Sequence, residues 1–498
     1  MKVLIVGEGA REHALALMAA ASSSSPRIGV AGSHVNPGLR RVVEQTGGRY
    51  LRAKPTEPAE VVRAAEEYSP DLVVIGPEEP LFHGVADALR DAGFTVFGPS
   101  SRAAMIEKDK VFARELMWRH RIPGRLRFRG FRDPGEAAEY ARAMGDVVVK
   151  PARQAGGRGV RVFARPLEHL ETGEEAGEYA ARLAGQVASR YSDVESLVIV
   201  EERVDGVEYT VTVVSDGSTV VPLPAAQDHP HLHPFDTGPE TGGMGALAGP
   251  GETLSFIEPG EYRETVSILE ATLKALREET GAEYRGALSG QMMLTGLWGP
   301  TVIEYYARFG DPEAGTLIPL IASDFLELLD RAASGRLAGY KLEVRDDVYV
   351  VSKAVAPEGY PLDRARARGH PVALDPDRVG EGCVLLVGSA AEEDGRVVTL
   401  GSRLAEVVCW SRHGYSHASR MVEEVLARGA VRSLDGSRLV HRWDIGEAWL
   451  VAERVRAAEE ARASYRRRRE KGLWRVYDWV PGRGLVEYDY SPGPLYGG

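Results

Sequence analysis

Short apolar runs alternate with amphipathic stretches over residues 1–100. The apolar runs predict β-strands, and the amphipathic stretches predict helices at residues 12–21, 59–68 and 86–92. Strands separated by helices form a parallel, doubly wound sheet, whose ligands bind beyond the carboxyl ends of the strands. The turns "GEGAREH", "GSHVNPG" and "GPEEPL" follow three such ends. This region is therefore predicted to be an α/β domain that binds a ligand at these turns.

The pattern changes after residue 100. Residues 101–120 predict one helix with lysines near its start, and "DVVVK" predicts a strand that enters the glycine-rich "PARQAGGRGV". Residues 196–217 predict antiparallel strands with turns at 205–206 and 216–217. A polar loop rich in histidine and glycine is expected at 227–248, and the strands "ALSGQMMLT" and "PTVIEYYARFG" follow a helix. Beyond Leu337, short strands and turns predict a small β-rich domain.

Composition narrows the class of protein. A chain of 498 residues exceeds what one hydrophobic core supports, so several domains are expected. The net charge of -11 disfavours nucleic acid as the main partner. The two cysteines, Cys383 and Cys409, provide no disulfide framework and no C-x-x-C zinc pattern, which favours a reducing compartment. The chain begins with a strand rather than a signal sequence and has no apolar stretch of about 20 residues, so no membrane association and a cytoplasmic location are predicted.

Two segments have the pattern of a nucleotide site. Gly156, Gly157 and Gly159 favour a loop whose backbone N–H groups contact phosphate oxygens, although a surface hairpin turn is the plain alternative. No G-x-x-x-x-G-K-[ST] motif is present, so the loop is not a P-loop. Residues 201–204 then offer backbone groups for an adenine edge, and Glu208 offers a carboxylate for ribose hydroxyls.

Cationic and metal-binding side chains accompany these segments. Lys108 and Lys150 are candidate phosphate ligands because a lysine ammonium is a compact point charge; two incidental surface lysines are the alternative. Gln291 and Glu304 lie on neighbouring predicted strands and offer oxygen ligands for a hard divalent cation. Arg308 follows on the same strand face as Glu304, and a structural ion pair of these two is the alternative. The histidines of "DHPHLH" lack helical i, i+4 spacing, which disfavours a zinc site.

These motifs, in this order, resemble the phosphoribosylamine–glycine ligases of the ATP-grasp superfamily. The resemblance extends from residue 1 to residue 446, and its landmarks are "GEGAREHA", "GPEEPLFHGVADAL", "QDH", "DTGPETGGMGA" and "ARFGDPE". The stretch "SHVNPG" resembles the archaeal branch of the family. The resemblance implies a multidomain α/β and α+β fold with an N-terminal doubly wound parallel sheet, ATP-grasp domains and a small β-rich C-terminal domain.

The resemblance also implies domain boundaries. We expect an α/β substrate domain at 1–100, an ATP-grasp region at 101–335 with a flap subdomain at about 122–195, and a β-rich domain at 336–450. The helical, basic extension at 451–498 lies largely outside the resemblance. A solvated helix end and a loose tail are expected there.

Residue roles follow from the same resemblance. The catalytic residues would be Arg308 and Lys150. The ATP-binding residues would be Lys108, Lys150, Gly156, Gly157, Arg158, Gly159, Glu201, Glu202, Val204 and Glu208. The substrate-binding residues would be Gly7, Gly9, Arg11, Glu12, Asp228, Asp236, Thr241, Gly242, Gly243 and Met244. Gln291 and Glu304 would hold Mg²⁺ or Mn²⁺.

Several positions depart from the family pattern. The family's metal motif usually reads E-F-N-A-R, and Tyr306 stands where its asparagine provides a second ligand. A neutral phenol is a poor substitute for an amide oxygen, which puts the second metal in doubt. Arg158 replaces the usual lysine of the flap, and Glu240 stands where asparagine is common.

The implied reaction uses ATP and two small molecules, glycine and 5-phosphoribosylamine. The products would be ADP, phosphate and glycinamide ribonucleotide, formed through glycyl phosphate in de novo purine biosynthesis by a monomer or homodimer. One alternative is another ATP-grasp ligase of purine biosynthesis, and a second is an ATP-binding homologue whose catalysis is weakened through Tyr306. A nicotinamide dehydrogenase is disfavoured because Glu12 stands where G-x-G-x-x-G requires its third glycine.

Overall fold

The fold is taken from a computed structural model, which describes residues 1–154, 159–164, 168–169, 174–480 and 482–494. Its N-terminal elements are β1 (Lys2–Val6), α1 (Ala10–Ala20), β2 (Arg27–Gly32), α2 (Pro37–Thr46), β3 (Tyr50–Arg52), α3 (Pro58–Tyr68), β4 (Leu72–Ile75), α4 (Glu78–Phe82), α5 (Val85–Asp91) and β5 (Val96–Phe97). The strands are parallel and lie in the order β3-β2-β1-β4-β5. The predicted parallel sheet is thereby confirmed.

Asn36 holds one of the ligand-side turns of this sheet in place. Its Oδ1 accepts hydrogen bonds from the N–H groups of Gly38 and Leu39 and thus caps α2. Its Nδ2 donates to the carbonyl oxygens of Val387 and Gly388 at 2.9 and 3.1 Å. One buried amide therefore joins the N-terminal sheet to the C-terminal part of the chain.

The single helix predicted at 101–120 is broken in two. The structure has α6 (Met105–Lys108) and α7 (Lys110–Arg119). Asp109 between them is extended, and its carboxylate accepts hydrogen bonds from the N–H groups of Val111 and Phe112. An aspartate cap starts a new helix at Lys110, and this changes the direction in which the lysines point.

The next elements form a separate antiparallel sheet, called here the flap sheet. They are β6 (Phe128–Phe131), α8 (Pro134–Met144), β7 (Val147–Pro151), β8 (Arg161–Ala164), β9 (Glu168–His169), α9 (Ala176–Ala188) and β10 (Val198–Glu202). The strand order is β6-β10-β7-β8-β9. Apolar side chains of both helices, including Tyr140 and Leu183, pack against the sheet in one core with Phe163 of β8.

The following elements build most of a ten-stranded sheet. They are β11 (Gly206–Asp216), β12 (Val220–Pro222), β13 (Ala226–Asp228), β14 (His231–His233), β15 (Thr237–Glu240), β16 (Gly245–Ala248), α10 (Pro259–Thr280), β17 (Arg285–Thr295), β18 (Gly299–Tyr306), α11 (Glu313–Leu320) and α12 (Phe325–Ala333). The hairpin at 216–217 forms between β11 and β12 as predicted. The hairpin predicted at 205–206 is wrong, because β10 and β11 belong to different sheets. The prediction of a polar loop at 227–248 is also wrong, since this stretch contains β14, β15, β16 and part of β13.

The C-terminal strands continue this large sheet. The elements are β19 (Tyr349–Pro357), β20 (Arg368–Leu374), β21 (Cys383–Val387), β22 (Ala390–Glu393), β23 (Arg396–Leu400), β24 (Ala405–Ser411), α13 (Tyr415–Ala427), β25 (Val431–Ser433) and β26 (Leu439–Val440). The path through the sheet is β18-β17-β11-β13-β16-β19-β24-β21, while β22-β23-β20-β25 form a small sheet of their own. Cys383 and Cys409 are register partners on β21 and β24 and are joined by a disulfide, which the sequence does not predict.

Residues 448–480 and 482–494 are folded rather than loose. They form α14 (Ala448–Glu470), β27 (Arg475–Val480) and β28 (Gly484–Asp489). The basic face of α14 pairs with acidic residues of α10, as in the bond from Arg462 Nε to Glu261 Oε1 at 2.8 Å. Tyr490 stacks on Trp298 with ring centroids 3.8 Å apart. The expectation of a loose tail is therefore wrong, because the basic residues face acidic partners far away in sequence.

Among the described residues, none of the helices has the length and apolar content needed to cross a bilayer.

Candidate active site

A cavity of about 330 Å³ lies between the flap sheet and the large sheet. The segment 202–206, which joins β10 to β11, forms one of its walls. Eleven of the predicted site residues line it: Lys150, Glu201, Glu202, Val204, Glu208, Asp228, Thr241, Gly242, Gln291, Glu304 and Arg308. The cavity thus gathers residues from strands that are distant in sequence.

A chain of ion pairs connects the flap sheet to the large sheet. Lys150 on β7 lies 2.8 Å from Glu201 Oε2 on β10. Arg114 on α7 donates to Glu201 Oε1 at 2.6 Å and to the carbonyl oxygens of Val302 and Ile303 on β18. Burial alone would raise the pKa of Glu201, but Arg114 and Lys150 lower it to about 2. Glu201 is therefore ionised and holds Lys150 at the cavity wall.

Lys110 lies behind the cavity wall, next to Glu304 and Gln154, which line the cavity. Its Nζ lies 3.5 Å from Glu304 Oε2 and donates to Gln154 Oε1 at 3.1 Å. Lys108, the predicted residue, instead lies 3.0 Å from Asp193 Oδ2 and does not line the cavity. The helix break at Asp109 separates the two lysines, so that the ammonium of Lys110 faces Glu304 and that of Lys108 faces Asp193.

Glu304 and Gln291 face each other across β17 and β18, as predicted from their strand positions. Tyr306 donates its hydroxyl to Glu304 Oε1 at 2.6 Å. The amide nitrogen of Gln291 donates to Asp228 Oδ1 at 3.0 Å and to Glu208 Oε2 at 3.3 Å. Gln291 thus aligns two carboxylates beside Glu304.

Further carboxyl groups crowd this wall. Burial, and then repulsion from Glu208, raises the pKa of Asp228 to about 6 and that of Glu240 to about 8. Burial, and then Asp228, raises the pKa of Glu313 to about 7. Carboxylates held this close repel one another unless a proton or a cation lies between them. The oxygen-rich wall, with Glu304 held ionised by Lys110 and Lys150, fits a hard divalent cation.

Within the described ranges, no three His, Cys, Asp or Glu side chains have the arrangement of a closed metal site. Mg²⁺ bound with a nucleotide needs only one or two protein ligands, because phosphate and water oxygens provide the others.

Arg308 points into the cavity between two buried acids. Its guanidinium lies 3.3 Å from Glu107 and 3.4 Å from Glu78, and it stacks 4.4 Å above the ring of Tyr306. Its Nε is buried and faces Glu78, so the two acids hold the guanidinium at the cavity wall.

A second cavity of about 230 Å³ lies at the ligand side of the N-terminal sheet. Its lining includes Glu8, Gly9, His34, Arg403 and Glu406, together with Asp311, which also lines the first cavity. The guanidinium of Arg403 donates to the carbonyl oxygens of residues 242, 243 and 311 at 2.8 to 2.9 Å. One side chain therefore holds together the two stretches of backbone, at 242–243 and at 311, that lie where the two cavities meet.

The rest of the predicted N-terminal set lies behind the second cavity. Arg11 and Glu12 are buried and bonded to each other at 2.7 Å, and Arg11 also donates to Phe309 O. Glu12 Oε2 accepts the N–H of Gly9 at 2.6 Å. A side chain at Gly7 would collide with Pro77 and Glu12. These residues shape the turn, and only Gly9 lines the cavity.

Other predicted residues lie outside both cavities. Asp236 pairs with Arg442 at 2.7 Å and with Arg454. The side chain of Met244 is fully buried in a small apolar cluster. The carbonyl oxygen of Gly243 accepts a hydrogen bond from Arg403, and a side chain at this glycine would collide with Pro312. The carbonyl oxygen of Gly159 accepts a hydrogen bond from Tyr179. The remaining predicted residues, Gly156, Gly157 and Arg158, lie outside the described residues.

Sequence reasoning missed Lys110, Arg114 and Arg403. The aspartate cap at Asp109 is a signal that would have separated Lys110 from Lys108. Arg114 follows at the i+4 position of the same helix. Arg403 belongs to no recognisable motif, and only the pairing of β24 with β19 brings it to the site.

Comparison with known proteins agrees with this architecture. The phosphoribosylglycinamide synthetase N domain matches residues 1–107, and the ATP-grasp (A) domain of the same synthetase matches residues 108–314. The phosphoribosylamine–glycine ligase of Methanopyrus kandleri is 39% identical over 93% of this chain and 99% of its own. That of Pyrococcus furiosus is 36% identical over 93% of this chain and 99% of its own.

Solved structures share the fold. The phosphoribosylamine–glycine ligase of Thermotoga maritima superposes with a TM-score of 0.70 at 25% identity, covering 89% of this chain and 100% of that one. A biotin carboxylase of Campylobacter jejuni, with a TM-score of 0.64 at 14% identity over 92% of this chain and 95% of its own, shares the fold alone.

The fold and the cavity between its two sheets define an enzyme of the ATP-grasp class. Within that class, the chain belongs to the phosphoribosylamine–glycine ligase family. The predicted family, fold class and type of enzyme, an ADP-forming carbon–nitrogen ligase, are confirmed. ATP with Mg²⁺ or Mn²⁺ is the cofactor set of this class.

Proposed function

We propose that this protein joins glycine to 5-phosphoribosylamine at the expense of ATP and does so in the cytoplasm. The observation that carries the proposal is the convergence of Lys150, Arg308 and Glu304 in one cavity beside the hinge at 202–206. The 39% identity to a phosphoribosylamine–glycine ligase over 93% of the chain supports it.

In this proposal each wall of the cavity has its own task. The backbone of residues 202–204 would face the adenine edge, and Glu208 would accept hydrogen bonds from the ribose hydroxyls. Lys150 and Arg308 would donate to phosphate oxygens, where charged donors make strong hydrogen bonds. Gln291 and Glu304 would hold a divalent cation, which supplies neutralisation of the phosphate charge when it is bound.

The chemistry then requires positioning rather than an enzyme nucleophile. A glycine carboxylate oxygen attacks the γ-phosphorus of ATP, and ADP leaves. The amine nitrogen of 5-phosphoribosylamine attacks the carbonyl carbon of glycyl phosphate, loses a proton, and phosphate leaves. Arg308, which lines the cavity, would neutralise the charge that develops on the transferred group.

The second cavity suits the amine substrate. It opens beside Gly9 and His34, and Asp311 separates it from the nucleotide cavity. Glu8 and Glu406 can accept hydrogen bonds from ribose hydroxyls. An amine bound there approaches the activated glycine from the side opposite the hinge.

The test is release of ADP with ATP, Mg²⁺, glycine and freshly formed 5-phosphoribosylamine, each omitted in turn. ADP release should require all four components. Appreciable release without either glycine or the amine, or none with all four present, would refute the proposal.

One observation favours a second candidate, a homologue that binds ATP with weakened catalysis. The Tyr306 hydroxyl occupies an oxygen of Glu304 that a cation would use. Binding of ATP without ADP release at any Mg²⁺ concentration would favour this candidate over the ligase.

A further inference from the structure

Two segments connect the flap sheet to the rest of the chain, and they lie side by side. The first is residues 121–127, before β6, and the second is residues 202–206, after β10. The N–H of Glu202 donates to Arg127 O at 2.9 Å. In return, the N–H and Nε of Arg127 donate to the two carboxylate oxygens of Glu202, each at 2.8 Å. Any movement of the flap sheet relative to the large sheet must act on this pair of segments.

The C-terminal hairpin formed by β27 and β28 contacts the second segment through Tyr490. The Tyr490 hydroxyl donates to Glu202 Oε1 at 2.7 Å. Its ring stacks on Trp298, in the turn between β17 and β18, and packs edge-on against Trp118 of α7 at 5.3 Å. Burial, and then the Glu202 carboxylate, raises the pKa of Tyr490 far above its usual range, so the hydroxyl stays a donor.

The same hairpin also holds the first segment. Asp478 on β27 pairs with Arg127. The fully buried Arg125 donates to the carbonyl oxygens of Asp489 and Ser491 at 2.6 and 3.0 Å. The N–H of Gly493 donates to Arg121 O at 2.9 Å. The entry segment is therefore bonded to the end of the chain along its length.

The hairpin contacts both the flap sheet and the large sheet, which the segments 121–127 and 202–206 connect. Val480 belongs to the apolar core of the flap sheet, and Val486 and Tyr488 pack against that core. Tyr490, through Trp298, packs against the large sheet. The hairpin thus spans the junction at which the nucleotide cavity is built, because Glu202 and Val204 line that cavity.

We propose that the C-terminal hairpin is a hinge clamp and that Tyr490 is a positioning residue for the nucleotide. By holding the Glu202 carboxylate, Tyr490 fixes the backbone of residues 202–204 before ATP arrives. A hinge that is already in place loses less freedom on binding, which increases affinity without any direct contact. This inference rests on the proposed binding of ATP at this hinge.

The test compares two conservative variants of the hairpin in the full-length protein. Tyr490→Phe keeps the stacked ring and removes one donor to a carboxylate. Tyr477→Phe is the matched control, since Tyr477 lies on the same hairpin with 57% of its surface exposed. For Tyr490→Phe, the dissociation constant for ADP and the KM for ATP should rise about fivefold to tenfold, because only part of the energy of the lost hydrogen bond to a charged group acts on nucleotide binding.

The pattern across substrates separates positioning from general damage. The KM for glycine and for 5-phosphoribosylamine, and kcat, should stay unchanged in Tyr490→Phe, and Tyr477→Phe should match the unmodified protein throughout. A Tyr490→Phe variant equal to Tyr477→Phe, or one with all KM values raised together, would overturn the clamp. Asp478→Asn removes the pair with Arg127 and should shift ADP affinity in the same direction, so it decides the question if Tyr490→Phe does not fold.

The outcome for the unmodified protein keeps the two proposals apart. An unmodified protein that neither binds ADP nor releases it from ATP defeats the proposed function and the clamp with it. Normal binding and turnover, with no change in either hairpin variant, defeat the clamp alone.

Discussion

The bond between Tyr306 and Glu304 leads to a specific prediction about metal dependence. The buried phenol donates to Glu304 Oε1 at 2.6 Å, and burial and the Glu304 charge raise its pKa far above the usual value. The hydroxyl is therefore protonated at any working pH and competes for the oxygen that a cation would use. We expect an active enzyme with a raised requirement for Mg²⁺, and Tyr306→Asn should lower the Mg²⁺ concentration that gives half-maximal rate.

The size of the effect can be worked from this contact. A hydrogen bond to a charged group contributes about 1.5–3 kcal/mol. An oxygen with a second lone pair still accepts a cation, so only part of this energy is lost on metal binding. If metal binding breaks about half of this interaction in the unmodified protein, it costs roughly 0.8–1.5 kcal/mol of metal affinity. Removing the hydroxyl restores that affinity, so the half-maximal Mg²⁺ concentration should fall by a factor of about four to twelve.

A matched variant separates the hydroxyl from the ring. Arg308 stacks 4.4 Å above the Tyr306 ring, and Tyr306→Asn removes that ring and leaves a void. Tyr306→Phe keeps the ring and removes only the hydroxyl. The Phe variant should therefore show the part of the decrease that is due to the hydroxyl, and the Asn variant should add the part due to an amide ligand.

The assay is a Mg²⁺ titration at saturating ATP with all three proteins, after their thermal midpoints establish that they are folded. Identical curves for three folded proteins would refute the reasoning, because neither the hydroxyl nor the amide would then affect the metal.

Three further predictions test other parts of the structure. Glu304→Gln should reduce turnover by about 100-fold at limiting Mg²⁺, the effect of a few kcal/mol lost in the transition state, while near-normal turnover would leave Glu304 only an ion-pair partner. The folded-state pKa of Glu240 is about 8 against 4.5 ordinarily, so the folded protein binds more protons and its unfolding free energy falls as pH rises from 4.5 to about 8. Glu240→Gln has no carboxyl group to titrate, so its unfolding free energy relative to that of the unmodified protein should rise between pH 4.5 and about 8 in denaturant titrations without Mg²⁺. A difference between the two proteins that does not change with pH would contradict this prediction. Asn36→Ala should lower the unfolding free energy by about 2–4 kcal/mol, since it removes a cap and two buried hydrogen bonds to the carbonyl oxygens of Val387 and Gly388, whereas Asp133→Ala, an exposed cap, should lower it by about 1 kcal/mol. Equal losses for these two variants would show that the contact with β21 contributes nothing.

The parallel sheet could be predicted from the sequence because its information is local. Each of β1, β2 and β4 is a continuous apolar run followed by a turn, and each run is buried in the structure. The residues on β17 and β18 were predictable for a similar reason. Their places on neighbouring predicted strands indicated that Gln291 and Glu304 face one site, and the register makes them partners.

The errors concern pairings that a local pattern does not contain. Nothing in residues 196–217 indicates that the chain leaves one sheet at Glu202 and enters another at Gly206. The basic residues of α14 have the sequence pattern of a solvated face. In the structure, Glu261 and Glu264 of α10 accept hydrogen bonds from Arg462 and Arg469. The clamp by Tyr490 likewise depends on a hydroxyl reaching a carboxylate 288 positions earlier.

The N-terminal turn resembles a dinucleotide-binding loop in sequence, but its own Glu12 side chain lies at the start of the helix. The carboxylate of Glu12 accepts the N–H of Gly9, so an internal anion already occupies the start of α1, where a dinucleotide would place its pyrophosphate. This position of Glu12 requires a glycine at residue 76, because a Cβ on Gly76 would lie 2.2 Å from Glu12 Oε1. A third glycine at position 12 would remove this anion and open the helix end to phosphate. With Glu12 present, the start of α1 is filled, and the open space beside the turn is the cavity lined by Gly9 and Asp311.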